Sequence, residues 1–178
     1  MKKLNLGCGN DIKKGWINLD VYSGPGIDIV HNLNDLPLPF SDEEFELILC
    51  TDVLEHVNYF PLMNELHRIL KKKGAIKIKV PHFSSKTNYG DPTHKHQFSF
   101  ATFDYFVRES KYAYKRDVKL FSTIKVRIIF EKFNNIFLRT FYTFLEKWVN
   151  KSKRNQNFYE ISFLRMFPAW YIDIVLIK

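Results

Sequence analysis

The sequence predicts an α/β fold in which a doubly wound, mostly parallel sheet carries an antiparallel C-terminal strand. Three observations lead to this prediction. A short apolar strand at 4–6 runs directly into a glycine turn, a second strand ends on Asp20, and a buried strand at 45–50 precedes an amphipathic helix and another strand. Strands that alternate with helices are typical of parallel sheets, whose carboxyl ends share one edge.

The other elements follow from periodicity and turn residues. Further strands are predicted at 17–20, 27–30 and 75–80. Before the strand at 75–80, a helix is predicted to start after Asn58 and to end by Gly74, because asparagine caps helices and glycine terminates them. The elements predicted for the last third are a strand at 119–130, helices at 133–149 and 157–166, and a final strand at 171–177.

The strand at 75–80 alternates strictly between apolar and basic residues. Ile76, Ile78 and Val80 are expected in the core. Lys77 and Lys79 are expected to keep their ammonium groups in water while their stems lie on the sheet. One face of the sheet is therefore predicted to be only partly covered.

Length and composition predict one domain over 1–178, with a ligand-binding half at 1–80 and an elaboration at 81–178. The 178 residues are 46% hydrophobic and suffice for a sizeable core. Two cysteines are too few for a disulfide framework, and no apolar run approaches membrane-spanning length, so we expect a cytoplasmic protein. The net charge of +8 is compatible with several anionic partners, but lysines spread along a chain usually indicate a solvated surface, and we expect no nucleic-acid partner.

An aromatic stripe runs along one face of the helix predicted at 133–149. We expect this stripe to pack in the core, while a homodimer face, an acyl-chain groove and a peripheral membrane contact stay open as alternatives. Its members are Phe137, Phe141, Phe144, Leu145 and Trp148.

Several stretches carry a resemblance to a known family. They are 4–9, Asp20, 36–40 with 45–48, 52–56, and 68–74. On these residues the chain resembles the class I S-adenosylmethionine-dependent methyltransferases, with their Rossmann-like fold, in a small type 11-like subgroup. The stretch 91–99 with 103–106 is similar to a bacterial and archaeal subset of these enzymes.

The resemblance implies an S-adenosylmethionine site. Backbone of the glycine turn would face the methionine part, Asp20 would bind the ribose hydroxyls, Asn32 and Leu33 would border the adenine, and 52–56 would close the site. The implied cofactor-binding residues are Asn5, Gly7, Cys8, Gly9, Asp20, Asn32, Leu33, Asp52, Val53 and His56. The family often has acids where this chain has Asn5 and Asn32.

The loop after the strand at 75–80 is predicted to form the acceptor pocket. Neutral imidazole is the usual base near neutral pH, so His94 or His82 is expected to act as the base or to orient the acceptor. Two alternatives stay open at this point. The histidines could shape the loop through hydrogen bonds, or His94 and His96 with Asp91 could ligate a divalent metal, although we assign no metal site from the sequence.

The function implied is methyl transfer from S-adenosylmethionine to a small-molecule, glycan or lipid-linked acceptor. Methyl transfer from a sulfonium needs alignment more than covalent help from the protein. An RNA methyltransferase and a catalytically silent cofactor-binding module that serves in interactions are the alternatives. The sequence shows neither an Asn-Pro-Pro-Tyr motif nor a Pro-Cys or Thr-Cys nucleophile for RNA chemistry.

Overall fold

A computed structural model describes residues 2–107 and 120–178 of the chain. The described residues contain one seven-stranded sheet with the order β3-β2-β1-β4-β5-β7-β6. Strands β1 to β5 run parallel, and β7 is antiparallel to both β5 and β6. The predicted fold class is confirmed. The strands are β1 (Lys3–Leu6), β2 (Ile17–Asp20), β3 (Ile29–Val30), β4 (Phe45–Thr51), β5 (Leu70–Pro81), β6 (Thr123–Phe130) and β7 (Ala169–Ile177).

Four α-helices accompany this sheet in the described ranges. They are α1 (Tyr59–Ile69), α2 (Thr87–Gly90), α3 (Ile136–Val149) and α4 (Lys153–Ile161), with 3-10 helices at Thr102–Phe106 and Phe163–Met166. The connections from β1 through to β4 are loops, whereas β4 reaches β5 through α1. The carboxyl ends of β1, β2 and β4 therefore lead into loops.

The main core lies on one face of the sheet. Neighbouring strands place Leu4, Ile48 and Ile76 in register, and all three are fully buried. Helix α1 contributes its apolar stripe to the same cluster. That stripe consists of Leu62, Met63, Leu66 and Ile69.

The opposite face of the sheet carries basic side chains. Lys77 is exposed, Lys79 lies with its ammonium nitrogen 3.9 Å from the centre of the Tyr171 ring, and both alternate with buried residues of β5. This arrangement confirms the partly covered face that the alternation predicts, with a cation–π contact as an additional partner for Lys79.

Buried asparagines organise the loop that joins β1 to β2. Asn18 accepts a hydrogen bond from Lys13 N at 2.9 Å and donates to Lys13 O at 3.1 Å. Asn5 donates to Asn18 Oδ1 at 3.1 Å and to Asp11 O at 2.7 Å. Since both asparagines are buried, these bonds satisfy polar groups of a loop that has no helix of its own.

Several element boundaries differ from the sequence-based ones. Helix α1 ends at Ile69, because Leu70 already pairs with Phe45 of β4, and Gly74 lies within β5. The helix predicted at 157–166 is two elements separated at Ser162, whose hydroxyl accepts from Leu164 N. The N-terminal part of the strand predicted at 119–130 includes Lys119, which lies outside the described residues.

Side chains cover the outer edge of β6. Asn150 Oδ1 accepts from Ile128 N at 2.8 Å, and Asn150 Nδ2 donates to Ile128 O at 2.7 Å. Gln156 donates to Val126 O at 2.9 Å, and Glu146 accepts from Phe130 N at 3.1 Å. An open strand edge invites pairing with other chains, and these bonds occupy it.

Candidate active site

The glycine turn and the end of β2 form the first part of the site. Gly7 and Gly9 have positive φ angles of 61° and 49°, which favour glycine. Asp20 closes the turn, because its carboxylate accepts from Gly9 N at 2.7 Å and from Tyr22 N at 3.2 Å. A carboxylate offers about four lone-pair positions, so Asp20 keeps acceptor capacity for a ligand.

A cleft of about 340 Å³ opens beside this turn, within the range of cofactor sites. It is lined by Gly7, Asp20, Val21, Asn32, Leu33, Asn34, Asp52, Val53, His56 and Val57. We call it the first cleft. It brings together residues from the ends of β1, β2, β3 and β4, as expected at the carboxyl edge of a parallel sheet.

The turn after β4 contributes a strained acid. Asp52 has a φ of 55°, and its backbone N–H donates to Lys79 O at 3.0 Å. Non-glycine residues in this region cost free energy and cluster at functional sites. Burial raises the pKa of Asp52, while Lys79, His56 and His94 act in the opposite direction.

A second cleft of about 330 Å³ adjoins the first. Its lining consists of Asp52, Pro81, Thr87, Gly90, Asp91, His94 and Tyr171. Asp52 lines both clefts. The loop after β5 therefore lines a pocket beside the first cleft.

Three titratable side chains meet where the clefts adjoin. One ligand atom from each of Glu55, His56 and His94 lies within 4.8 Å of the others. Burial raises the pKa of Glu55 to about 7, and the charges of Asp52 and Asp91 add to this rise. Glu55 lies within the stretch 52–56 that is expected to close the site, but the sequence assigns it no role of its own.

The structure separates His82 from the other predicted residues. His82 is fully buried and lies in the lining of neither cleft. Its Nε2 is 3.1 Å from Glu160 Oε1, and its Nδ1 is 2.8 Å from Ser84 Oγ. These contacts favour the alternative in which this histidine shapes the loop, and His94 is the histidine that reaches the second cleft.

Three of the implied cofactor-binding residues, Asn5, Cys8 and Gly9, lie outside the lining of the first cleft. Asn5 is a buried residue of β1, and Cys8 is a buried residue of the glycine turn itself. Asn32 lines the cleft, but its amide oxygen accepts from Asn34 N at 3.0 Å. Asn34 in turn accepts from Asn58 N at 2.9 Å, which ties this loop to the start of α1.

The N-terminal part of the chain matches a known protein family. Residues 4–78 match the family described as the methyltransferase domain. This segment contains β1 to β4, α1 and most of β5, and every residue that lines the first cleft lies within it. The segment that lines the first cleft is therefore similar to a methyltransferase domain.

Solved methyltransferases share the fold of the whole described chain. An S-adenosylmethionine-dependent methyltransferase from Archaeoglobus fulgidus is 15% identical, with a TM-score of 0.58 over 99% of this chain and 86% of that one. A phosphoethanolamine N-methyltransferase from Haemonchus contortus in complex with S-adenosylmethionine is 14% identical, with a TM-score of 0.59 over 100% of this chain and 49% of that one. With identities this low, the TM-scores show a common fold alone.

Two further similarities concern archaeal proteins. A stretch of 47 residues is 55% identical to an uncharacterised protein of Methanocaldococcus jannaschii, and it spans 26% of this chain and 21% of that protein. A complex between the Haloferax volcanii Trm112 methyltransferase activator and a methyltransferase aligns with a TM-score of 0.58 and 16% identity over 99% of this chain and 81% of that one.

S-adenosylmethionine is the cofactor of this family, and the methyltransferase domain has residues that suit it. The cofactor is a cation at its sulfur, and Asp20 and Asp52 place carboxylates in the first cleft. A Cβ on Gly7 would lie 2.4 Å from Val53 Cγ2, so only glycine permits this close packing below the cleft. The first cleft thus offers a glycine backbone and two carboxylates to a cationic ligand.

Proposed function

We propose that this protein transfers the methyl group of S-adenosylmethionine to a lipid-linked acceptor at an anionic membrane surface. In this proposal the first cleft holds the cofactor and the second cleft holds the methyl acceptor. Alignment of the acceptor atom with the S–CH₃ bond supplies most of the acceleration. The common wall at Asp52 supports this division, since it places the two clefts side by side.

The observation that carries the acceptor class is an exposed apolar surface on the C-terminal third. We call it the aromatic surface, and it consists of Ile136, Phe137, Phe141, Phe144, Ile161, Phe163, Met166 and Phe167. Phe137 is 82% exposed and Met166 is 78% exposed. The core packing predicted for the aromatic stripe is therefore wrong for Phe137 and Phe144, whereas Leu145 is buried.

One ring contact joins the part of the aromatic surface on α3 to the segment before β7. The rings of Phe141 and Phe167 lie 4.9 Å apart between centroids. Contiguous apolar surface of this kind marks a binding site for a protein or a membrane. No helix in the described ranges is long and apolar enough to cross a membrane.

Charge in the stretch of sequence that carries the aromatic surface supports a membrane contact. Residues 132–168 contain seven lysines and arginines and two acids, Glu146 and Glu160. Both acids accept hydrogen bonds from backbone, Glu146 from Phe130 N and Glu160 from Phe100 N. An apolar face flanked by cations is typical of contacts with anionic lipid.

The aromatic surface and the second cleft lie at the same end of the sheet. Phe167 precedes the first residue of β7, Ala169, by two positions, and Tyr171 of the same strand lines the second cleft. Glu160 of α4 also contacts His82 at the end of β5. A membrane bound at the aromatic surface would therefore present lipid headgroups near the second cleft.

Vesicle flotation tests the membrane contact. The protein should float with vesicles of phosphatidylglycerol and phosphatidylcholine and should stay behind with phosphatidylcholine alone. A Phe137→Ser, Phe144→Ser double variant should lose most of this binding, whereas Val30→Ser, which changes an exposed residue of β3, should retain it. Equal vesicle binding by the wild type and the double variant would contradict the proposal. A dimer that light scattering detects in the wild type but not in the double variant would also contradict it.

Transfer of label tests the acceptor. With S-adenosylmethionine carrying a tritiated methyl group and a cell extract, label should enter the organic phase that contains lipid. Label in RNA would support an RNA methyltransferase instead. Cofactor binding by calorimetry without label in any fraction would support the silent module.

A further inference from the structure

We infer that Glu55, His56 and His94 form a binding site for one divalent transition-metal ion between the two clefts. Each residue offers one ligand atom, and these atoms lie within 4.8 Å of one another. In a site with bonds of about 2.1 Å, neighbouring ligand atoms are about 3.0–3.4 Å apart. Small side-chain rotations would therefore close the three ligands around an ion.

Glu55 points to an ion because it is buried without compensation. Its side chain is 1% exposed, and neither carboxylate oxygen has a hydrogen-bond partner among the described residues. The Nδ1 atom of His94 is buried and lacks a partner in the same part of the chain. Buried polar atoms are nearly always paired, and a buried carboxylate is costly without a cation.

A chain of hydrogen bonds sets the tautomer of His56. The Thr93 hydroxyl donates its one hydrogen to Asp91 Oδ1 at 2.6 Å, so it must accept from His56 Nδ1, which lies 2.9 Å away. His56 Nδ1 therefore carries the proton, and its Nε2 keeps a lone pair for a ligand. Histidine ligands of metals are usually oriented by such a contact through the other ring nitrogen.

The two segments that supply the ligands are tied together before any ion binds. Lys95 N donates to Glu55 O at 2.7 Å, and His96 N donates to the same oxygen at 3.3 Å. The ring centroids of His56 and His94 are 4.7 Å apart in an edge-on arrangement. The loop after β5 is thus fixed against the turn after β4, which lowers the cost of assembling the site.

The ligand set indicates which ions would bind. Two imidazoles and one carboxylate suit zinc, cobalt, iron or manganese, whereas magnesium and calcium prefer oxygen ligands. His56 lines the first cleft and His94 lines the second, so the ion would lie between them. Binding of the ion does not depend on the proposed methyl transfer, and it can be measured without cofactor.

Titration of chelator-treated, metal-free protein with Co²⁺ tests the site. We expect one Co²⁺ per chain, with visible d–d absorption that shows nitrogen ligands, and displacement by Zn²⁺. Glu55→Gln and His94→Gln should each weaken binding by more than about tenfold. His96→Gln is the matched control, since His96 lies in the same loop with its ring on Tyr59, and it should bind Co²⁺ like the wild type.

Three results would overturn the inference. They are a wild-type protein that takes up no Co²⁺, variants that all bind with the same affinity, and a loss in His96→Gln equal to that in His94→Gln. Circular dichroism shows whether each variant folds. If Glu55→Gln does not fold, the Co²⁺ affinity of His94→Gln tests the site. Calorimetry with S-adenosylmethionine is a separate measurement, so a failed metal site and a failed cofactor site give different results.

Discussion

Asp20 both shapes the first cleft and faces its interior. Its carboxylate accepts two backbone N–H groups, from Gly9 at 2.7 Å and from Tyr22 at 3.2 Å. These bonds hold the side chain in one orientation, so a ribose that binds to the remaining lone pairs would pay little rotamer entropy. In the proposed cofactor site, this fixed carboxylate would face two vicinal hydroxyls of the ribose.

We expect Asp20→Ala to weaken S-adenosylmethionine binding by about 1.5–3 kcal/mol, the loss typical of a hydrogen bond to a charged group. Calorimetry on the folded variant measures this change. Asp11→Ala is the matched control, because Asp11 lies in the neighbouring turn and pairs with the exposed Lys13. Unchanged affinity in Asp20→Ala would remove Asp20 from the site.

Two glycines of the same turn should respond differently to alanine. Both have positive φ angles, but a Cβ on Gly7 would lie 2.4 Å from Val53 Cγ2, whereas a Cβ on Gly9 would have no heavy atom within 4 Å. Gly9→Ala should therefore lose about 1 kcal/mol of stability from backbone strain, and Gly7→Ala about 1–3 kcal/mol more from overpacking.

Urea unfolding of the two variants compares these losses. Val53→Ala in the Gly7→Ala background removes the clash and should recover part of the difference, which a purely conformational effect would not permit. Equal stability of Gly7→Ala and Gly9→Ala would mean that the turn does not pack against Val53 in solution.

At the scale of elements, the edge of β6 is completed by side chains instead of by another strand. Asn150 follows the last residue of α3 and pairs with both backbone groups of Ile128, as a neighbouring strand would. The amide of asparagine has the donor and acceptor that a peptide group has, which makes this substitution geometrically natural.

Asn150→Ala should lower the free energy of unfolding by about 1–3 kcal/mol, because it leaves the N–H and C=O of Ile128 without these partners. Thermal unfolding measures the loss, and light scattering should show earlier aggregation through the opened edge. Asn157→Ala, at an exposed position of α4, should change stability by less than about 0.5 kcal/mol. Equal stability of the two variants would contradict the role of Asn150.

At the scale of the molecule, charge is divided between two regions. The chain carries a net charge of +8, yet carboxylates of Asp20, Asp52 and Asp91 line the clefts. No lysine or arginine is among the described residues that line either cleft, and seven lie in 132–168, the stretch of sequence that carries the aromatic surface. This division suits a cationic cofactor in the first cleft and an anionic surface at the C-terminal third.

Vesicle binding should therefore weaken with salt without disappearing. Raising sodium chloride from about 0.1 M to about 1 M shortens the screening length from about 10 Å to about 3 Å. Flotation with phosphatidylglycerol vesicles should fall severalfold over this range, while the apolar contribution of Phe137 and Phe144 remains. Binding that is independent of salt would contradict the role of the cations.

Local signals were sufficient for the elements that carry the cofactor-binding residues. The glycine turn, the strand ending at Asp20 and the alternation of β5 each depend on neighbours within a few residues, and each is found as predicted. The end of α1 differs from the prediction, because the pairing of Leu70 with Phe45 is a contact between distant parts of the chain. A glycine at 74 looks like a helix terminator until that pairing is known.

The sequence by itself determined the parallel sheet, the first cleft at its carboxyl edge and the similarity of residues 4–78 to a methyltransferase domain. Those features rest on apolar periodicity and on glycines whose backbone requirements are local. Tertiary structure decided which polar residues meet. Glu55, His56 and His94 come together because two backbone hydrogen bonds fix one loop to another. His82 is buried in contact with Glu160 of α4, away from these three residues. It also decided that the aromatic stripe faces outward, since periodicity shows that a helix has an apolar face but not whether another part of the chain covers it.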